Sequence, residues 1–275
     1  MLGSMLCTEV EKRNLEFVAT SRDSRKTSGK VLSQESIRFD VDNDDIQTLL
    51  GSLRDIKYII NCIGIVKQSK HALNEEYMYR INGDFPIRLG QWARVYGAKV
   101  IHLSTDCVFS GIKGDYTETD IPDAKDDYGL SKLAGEKIVQ ESAMVIRTSM
   151  IGREIGPDKK GLVEWLLSMR GKKVQGYKNV FFSGLTTRRL SRIIIDLLNE
   201  DRISPGIWHI SSEKISKYDL LNRINSLFDL GVEILPSEEP TLDRSLNSSK
   251  SSRLLGTETP DWDSMLSDED WSKNN

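Results

Sequence analysis

The stretch Lys99-Val-Ile-His-Leu-Ser104 is a short apolar run that turns polar at its end. It follows a long stretch with helical periodicity, residues 73–97, which Gly97 ends. A helix of that length can cross a sheet and bring the chain back beside an earlier strand. This unit predicts a parallel sheet covered by helices, the architecture of an α/β protein.

The same alternation of strands and helices extends over the first half of the chain and then loosens. Strands are predicted at residues 16–20, 36–40, 58–63 and 143–147, with a helix at 44–53. Beyond residue 153 we predict helices near 161–170, 188–199 and 216–228 and a strand at 207–210. The pattern is typical of a Rossmann-type doubly wound parallel sheet over residues 1–150 that binds NAD(P). Residues 151–275 are predicted to form a small substrate-binding lobe interleaved with that sheet, and an acidic, solvated tail held by Trp262.

Composition excludes several classes of protein. The chain has 275 residues with 38 basic and 41 acidic side chains, a formal charge of −3, which argues against a general grip on nucleic acid or anionic lipid. No apolar run approaches the ~18–20 residues of a membrane span. The 3 histidines are scattered without metal-ligand spacing, so no metal site is predicted. The 3 cysteines are an odd number in apolar stretches, which indicates reduced thiols and a cytoplasmic enzyme.

The opening of the chain departs from the pattern of a dinucleotide fold. Such a fold begins with an apolar strand, a glycine-rich turn and a helix whose N-terminus holds the pyrophosphate. Here Met1-Leu2-Gly3-Ser4-Met5-Leu6 has the sequence of that helix, with Gly3 as the third glycine. We therefore expect the first strand to be missing from the sheet. The prediction is a gap between the strands at 16–20 and 58–63, or a rearranged pairing that closes it, and weak dinucleotide binding.

Two groups of residues indicate chemistry. Tyr128 and Lys132 are four residues apart at the start of a predicted helix, so they share one face. An ammonium beside a phenol lowers the phenol pKa from its reference near ~10, which makes it a usable acid near neutral pH. Ser104 and Thr105 place hydroxyls at the carboxyl end of a strand, where ligands bind in open α/β sheets. Neither group is specific alone, but together they predict an active site.

These residues resemble the extended short-chain dehydrogenase/reductases, and within them the dTDP-4-dehydrorhamnose reductase-like branch, which acts on sugar nucleotides. The resemblance covers nearly the whole chain, from Met1 to about Leu266. The matching stretches are Asn61-Cys-Ile-Gly64, Arg80-Ile-Asn-Gly-Asp-Phe-Pro86, Ser104-Thr-Asp-Cys-Val-Phe109, Asp126-Asp-Tyr-Gly-Leu-Ser-Lys132, Arg147-Thr-Ser149 and Gly206-Ile-Trp-His-Ile-Ser-Ser212.

The resemblance implies roles for individual residues. Thr105 would bind the substrate carbonyl, Tyr128 would be the catalytic acid, and Lys132 would bind the nicotinamide ribose and tune Tyr128. Asp40 would meet the adenine, and Asn82 would support the site. The full set implied for the cofactor is Leu2, Gly3, Ser21, Arg22, Asp40, Val41, Cys62, Ile63, Gly64, Asn82, Ser104, Tyr128 and Lys132. The set implied for the substrate is Thr105, Val108, Phe109 and Thr186.

The choice of cofactor follows from the end of the second strand of such a fold. Ser21 and Arg22 stand where a fold that prefers NADH places an acid on the ribose hydroxyls. A guanidinium accommodates a 2′-phosphate instead. Asp23 follows directly, and a solvated loop cation is the alternative for Arg22. We therefore predict NADPH, with NADH as the lesser alternative.

The predicted reaction is reduction of a nucleotide-linked 4-keto-6-deoxy sugar for a surface polysaccharide. In the related dehydratases two acids follow the strand-end threonine, whereas here Asp106 is followed by Cys107, which disfavours elimination. Two alternatives stay open. One is a sugar-nucleotide epimerase of the same family, and the other is a non-catalytic nucleotide-binding regulatory subunit. The expected partner is a nucleotide sugar, and a homodimer is the assembly considered; neither nucleic acid nor membrane is expected.

Overall fold

The computed structural model describes residues 1–22, 36–53, 55–67, 69, 74–154, 159–256, 258–269 and 271. Its helices are α1 (Leu2–Lys12), α2 (Ile46–Ser52), α3 (Glu75–Tyr79), α4 (Phe85–Val95), α5 (Asp127–Gly135), α6 (Leu162–Leu167), α7 (Thr187–Asn199), α8 (Lys217–Leu227), α9 (Ser249–Leu255) and α10 (Trp262–Asp268). Its strands are β1 (Thr20–Ser21), β2 (Ile37–Arg38), β3 (Tyr58–Asn61), β4 (Lys99–Leu103), β5 (Met144–Arg147), β6 (Met150–Ile151), β7 (Lys173–Tyr177), β8 (Val180–Phe182), β9 (Leu185–Thr186), β10 (Gly206–His209), β11 (Ile215–Ser216), β12 (Glu233–Ser237) and β13 (Leu242–Asp243).

The main sheet has four parallel strands in the order β10-β5-β4-β3. Helices pack on both of its faces, so the predicted α/β class and parallel sheet are confirmed. Side chains alternate along each strand. Ile101 and Met144 enter one core with α1 and α7, whereas Val100 and Val145 enter a second core with α2 and α4.

The predicted gap in the sheet is confirmed. β1 pairs with β2 in a separate two-stranded parallel sheet, and among the described residues no backbone ladder joins β1 to β3. β1 is also shorter than the predicted strand at 16–20, because only its β2 side supplies ladder hydrogen bonds: the Ile37 amide donates to the Ala19 carbonyl at 2.9 Å. Among the described residues, one edge of β1 and one edge of β3 are therefore left without a ladder partner.

The second part of the chain adds small sheets beside the carboxyl edge of the main one. β8 lies between β11, which is antiparallel to it, and β13, which is parallel to it. Two further parallel pairs are β12 with β7 and β6 with β9. The division of the chain at residue 150 stays a prediction, and β10, from the second part, pairs with β5 of the first.

The C-terminal segment is not the solvated tail that its composition predicts. Trp262, Met265 and Leu266 are buried in the main core, because their spacing places them on one face of α10. Trp262 holds the segment, as expected: its Nε1 donates to the Glu213 carbonyl at 2.8 Å, and its ring lies 5.6 Å from that of Phe182. The prediction overlooked this apolar spacing among the acidic residues.

The long helix predicted at 73–97 is three consecutive helical segments. Leu73 lies outside the described residues; Asn74 caps α3, and a π-helical turn, Arg80–Asp84, joins α3 to α4. Gly97 follows the helix with φ +70°, a conformation that favours glycine. All three cysteines are free thiols. Within the described ranges, no helix has the length and apolar character needed to cross a bilayer.

Candidate active site

The strand end predicted to hold the chemistry makes a sharp turn at Thr105. Thr105 is extended, and its Oγ1 accepts a hydrogen bond from the Cys107 amide at 3.1 Å, which caps the 3₁₀ turn Asp106–Val108. Only 5% of Thr105 is exposed. The hydroxyl is thus fixed in place at the carboxyl edge of β4.

Helix α5 brings Tyr128 and Lys132 to the same turn. Asp126 caps the helix by accepting from the Gly129 amide at 2.9 Å. Gly129 permits the close approach, because a Cβ there would lie 2.3 Å from the Cys107 carbonyl oxygen. The Thr105 side chain lies close enough to the Tyr128 phenol to act on its pKa, and Lys132 Nζ donates to the Leu103 carbonyl at 2.6 Å. The structure therefore brings Thr105, Tyr128 and Lys132 together.

The electrostatics of the pair differ from the sequence-based expectation. Burial lowers the pKa of Lys132 to about 8, against the opposing charge of Glu136. Burial raises the pKa of Tyr128, and the neighbouring Cys107 adds to that effect, whereas Thr105 opposes it. The expected lowering of the phenol pKa by Lys132 is wrong for the chain alone, because the ammonium is directed at the Leu103 carbonyl and the buried phenolate is poorly solvated.

A buried polar network lies beneath Lys132. Glu136 receives a two-pronged ion pair from Arg147, with Nε to Oε1 at 2.9 Å and Nη2 to Oε2 at 2.7 Å. Ser104 Oγ donates to the same carboxylate at 2.6 Å. On its far side Arg147 meets His209 Nε2 at 3.4 Å, and burial lowers the pKa of His209 to about 4, so the neutral ring accepts from the guanidinium. Ser104 is thus part of this network, and its predicted contact with the cofactor stays a prediction.

Asn82 holds the loop that follows β3. It lies in the π-helical turn, fully buried, where its Oδ1 accepts from the Ile65 amide at 2.8 Å and its Nδ2 donates to the Ile65 carbonyl at 3.0 Å. A Cβ on Gly64 would lie 3.2 Å from Asn82 Oδ1 and 3.7 Å from Lys132 Nζ. Asn82, Gly64 and Lys132 are thus neighbours, and the π turn is a local irregularity of the kind found at functional sites.

The residues predicted for the adenosine end lie around the ends of β1 and β2. Arg22 is exposed directly after β1, and its charge acts on Asp40. Burial alone would raise the pKa of Asp40, but hydrogen bonds from Asn43 and the Asp42 amide, with the charges of Arg22 and Arg38, hold it below its ordinary value. Arg22 and Asp40 are therefore both charged and adjacent.

The remaining predicted cofactor residues are divided between surface and core. Cys62 is exposed, and a Cβ on Gly3 would lie 3.6 Å from the Cys62 Cβ, so the start of α1 lies against the end of β3. The side chain of Leu2 is buried in the main core. Val41 and Ile63 are half-buried against core clusters, and Ser21 belongs to β1.

Three of the residues predicted to bind the substrate are buried inside the protein. Val108 and Phe109 are fully buried, and the Phe109 ring stacks 4.1 Å from that of Tyr116. Thr186 is 1% exposed and caps α7. Val108 and Phe109 belong to a small separate hydrophobic cluster, and the role of these three residues toward the substrate stays a prediction.

Comparison with known proteins places the chain in a family. A family model described as RmlD substrate binding domain matches residues 1–272. The chain belongs to this family. Membership confirms the predicted resemblance to the dTDP-4-dehydrorhamnose reductase-like branch, which includes oxidoreductases acting on sugar nucleotides.

Individual relatives agree with the family. The spore coat polysaccharide biosynthesis protein SpsK of Bacillus subtilis is 27% identical over 224 residues, 79% of this chain and 72% of that protein. A hypothetical dTDP-4-dehydrorhamnose reductase from Sulfolobus tokodaii is 26% identical, with a TM-score of 0.79 over 97% of this chain and 95% of that one. A dTDP-4-dehydrorhamnose reductase from Bacillus anthracis, solved in complex with NADP, shares the fold at 22% identity, with a TM-score of 0.73 over 91% and 96% of the chains.

Several residues at the site were not predicted. Glu136 lies four positions after Lys132, and that spacing on one helix face was a usable signal. Lys67 was not detectable in this way: its Nζ lies 5.8 Å from the centre of the Tyr128 ring and donates to Asp126 at 2.6 Å. Lys217 and Arg244, which lie far along the chain, also reach the turn after Thr105.

Proposed function

We propose that this chain reduces the ketone of a nucleotide-linked 4-keto-6-deoxy sugar with NADPH, as a step toward a surface polysaccharide. The observation that carries the proposal is the meeting of Thr105, Tyr128 and Lys132 at the carboxyl edge of the sheet. The name of the SpsK relative supports the polysaccharide context.

The chain's own residues account for the handling of the ketone oxygen. The Thr105 hydroxyl and the Tyr128 phenol lie close to one another, so both can bind one substrate oxygen. NADPH would supply the hydride. Tyr128 gives its proton to the oxygen as negative charge develops there, and the Lys132 ammonium stabilises that charge. Because Tyr128 and Lys132 are buried, water does not screen their interactions with the ketone oxygen, and both interactions are stronger than they would be at the surface.

Residues at the other edge fit NADPH. Arg22 is exposed at the end of β1, where a 2′-phosphate would pair with its guanidinium. Asp40 beside it is held ionised and can accept a hydrogen bond from the adenine amine. Gly64 leaves the backbone open next to Lys132, on the side where the nicotinamide ribose would lie.

Reduction is favoured over the other activities of such folds. Elimination needs a second acid after Asp106, and Cys107 stands there with a pKa that burial raises to about 12, so the thiol is inert. An epimerase would interconvert two sugar nucleotides without net use of NADPH. A regulatory subunit would bind the nucleotide and turn over nothing.

The test is a direct assay. The 275-residue chain is incubated with NADPH and dTDP-4-keto-6-deoxyglucose, and the loss of NADPH absorbance and the reduced sugar are measured together. We expect stoichiometric oxidation of NADPH and formation of a 6-deoxyhexose. In a parallel incubation with a dTDP-hexose that has not been oxidised, epimerisation at C4 without NADPH loss would indicate the epimerase. Binding without turnover in both incubations would indicate the regulatory subunit.

A further inference from the structure

Lys217 lies beside the proposed active site and forms no ion pair with any residue that the structure describes. It is the first residue of α8, after the cap Ser216. Its Nζ lies 4.1 Å from the centre of the Phe182 ring. Among the described residues, neither a carboxylate nor a carbonyl accepts a hydrogen bond from its ammonium. The Lys217 ammonium therefore contacts the face of the Phe182 ring, and its N–H groups are available to a ligand.

The two groups that act electrostatically on Lys217 belong to the turn that follows Thr105. Asp106 and Cys107 both act on it electrostatically, and burial lowers its pKa to about 8. Asp106 is itself 7% exposed, with Thr105 Oγ1 3.2 Å from its Oδ1. The ammonium of Lys217 thus lies within electrostatic range of the segment that carries the proposed carbonyl-binding hydroxyl.

Arg244 reaches the same turn from another direction. Its Nε donates to the Phe109 carbonyl at 2.8 Å, and its Nη1 lies 3.7 Å from Cys107 Sγ. Gly111 gives it room, because a Cβ there would lie 3.0 Å from Arg244 Cγ. The guanidinium has five donors, and these two contacts leave others for a ligand.

The three-stranded sheet explains why two distant parts of the chain meet here. β8 pairs on one side with β11, which leads directly into Lys217, and on the other with β13, which leads directly into Arg244. Both cations are therefore placed by ladders on the two sides of one strand, and both reach the turn Asp106–Val108. Their positions depend on the sheet rather than on a mobile loop.

Lys214, on the same sheet, is a useful comparison with Lys217. Lys214 Nζ lies 4.6 Å from the centre of the Phe181 ring, an arrangement like that of Lys217 on Phe182. Unlike Lys217, it has a carboxylate partner, Asp243 at 3.1 Å. The two lysines thus make the same kind of ring contact, and they differ in that Lys214 has a carboxylate partner.

We propose that Lys217 and Arg244 bind the diphosphate of the sugar nucleotide. The inference rests on the proposed function, which places the ketone at Thr105 and Tyr128. From there the anomeric phosphate lies one sugar ring away, and the two cations lie around the same turn. A diphosphate offers charged oxygens to the free donors of both side chains. Asp106 offsets part of their charge, so both cations are needed.

The test measures binding and needs no turnover. The full chain is titrated calorimetrically with dTDP, with UDP and with uncharged thymidine. Lys217→Met is expected to weaken dTDP and UDP by about 10-fold or more, the scale of one charge-assisted hydrogen bond, and to leave thymidine unchanged. Lys217→Arg, which keeps the charge, should retain most of the affinity. Lys214→Met, with the same chemistry three positions earlier, should bind dTDP like the parent.

Three outcomes overturn the proposal. They are equal dTDP affinity in Lys217→Met and the parent, equal losses of dTDP and thymidine, and parent protein that binds neither dTDP nor UDP. Lys217→Gln replaces the methionine variant if thermal unfolding shows that the latter is not folded. The outcome is separable from that of the proposed function, because a chain that never oxidises NADPH can still show a charge-dependent affinity for dTDP.

Discussion

The two edges of the dinucleotide cleft are built differently. On the β4–α5 side, polar groups are bonded to one another inside the protein: Lys132 to the Leu103 carbonyl, Ser104 to Glu136, and Glu136 to Arg147. On the other side, no ladder joins β1 to β3 within the described residues, and Arg22 is exposed. The residues proposed to act on the ketone are thus preorganised by buried contacts, whereas those proposed for the cofactor lie at a sheet edge. We expect substitutions to have larger effects on the first side.

The largest effect is predicted for Tyr128→Phe. Removing the phenolic proton should lower kcat by about 10²–10⁴-fold, the contribution of a general acid. Affinity for NADPH should stay within a few-fold, because the ring remains in α5. The measurement is steady-state reduction of the keto sugar together with NADPH titration. Tyr96→Phe, on an exposed tyrosine, is the control. Turnover above about a tenth of the parent would remove Tyr128 from this role.

Glu136→Gln tests whether the buried network supports this side. The change leaves Arg147, 4% exposed, without its anionic partner, and should lower the free energy of unfolding by about 3–5 kcal/mol. Denaturant unfolding measures the loss. Glu141→Gln is the matched control, since it lies in the same 3₁₀ segment but pairs with the exposed Arg94, and should cost at most about 1 kcal/mol. Equal losses in the two variants would show that the buried pair adds nothing.

The same substitution should move the pH profile. Glu136 raises the pKa of Lys132 against the lowering by burial, which leaves it at about 8. Without that carboxylate the lysine loses its proton at a lower pH. Because the ammonium is the active form, the alkaline fall of kcat/KM should begin at lower pH in the variant than in the parent. A profile that does not move would show that Lys132 does not control that limb.

A smaller effect is expected at the cofactor edge, from Arg22→Ala. If the guanidinium binds the 2′-phosphate, its loss should weaken NADPH by about 1.5–3 kcal/mol and leave NADH nearly unchanged. Calorimetric titration with each cofactor measures the difference. Arg38→Ala is the control, because that exposed arginine of β2 already pairs with Asp44 at 3.2 Å. Equal weakening of both cofactors would contradict the assignment.

The sequence predicted the elements that depend on local pattern. Apolar alternation located the strands ending at Asn61, Leu103 and Arg147, and helical spacing placed Tyr128 and Lys132 on one helix. The gap between β1 and β3 was also predictable, from the helical sequence after Met1.

Contacts between distant segments were not predictable in this way. The direction of the Lys132 ammonium depends on the Leu103 carbonyl, 29 positions away, and the desolvation of Tyr128 on how closely Gly129 meets Cys107. Lys217 and Arg244 follow β11 and β13, two strands that pair with opposite sides of β8. Spacing along the chain carries no information on such pairs.

The smallest effect is predicted for Gly3→Ala. It compares the space around Gly3, at the proposed cofactor edge, with the space around Gly129, at the edge that carries Tyr128. A Cβ at Gly129 would lie 2.3 Å from the Cys107 carbonyl oxygen, so alanine there would push α5 away from the turn. At Gly3 the nearest atom to a new Cβ is the Cys62 Cβ at 3.6 Å, an ordinary contact. Alanine should therefore fit at Gly3, and its higher helix propensity should stabilise α1 by at most about 1 kcal/mol.

Thermal unfolding and NADPH titration of the Gly3→Ala and Gly129→Ala variants check this contrast. We expect Gly3→Ala to unfold at or slightly above the temperature of the parent and to bind NADPH within a few-fold, while Gly129→Ala loses stability and turnover. A tenfold loss of NADPH affinity in Gly3→Ala, with stability unchanged, would mean that the cofactor approaches Gly3 as closely as Cys107 approaches Gly129. The cofactor edge would then be as tightly built as the edge that carries Tyr128.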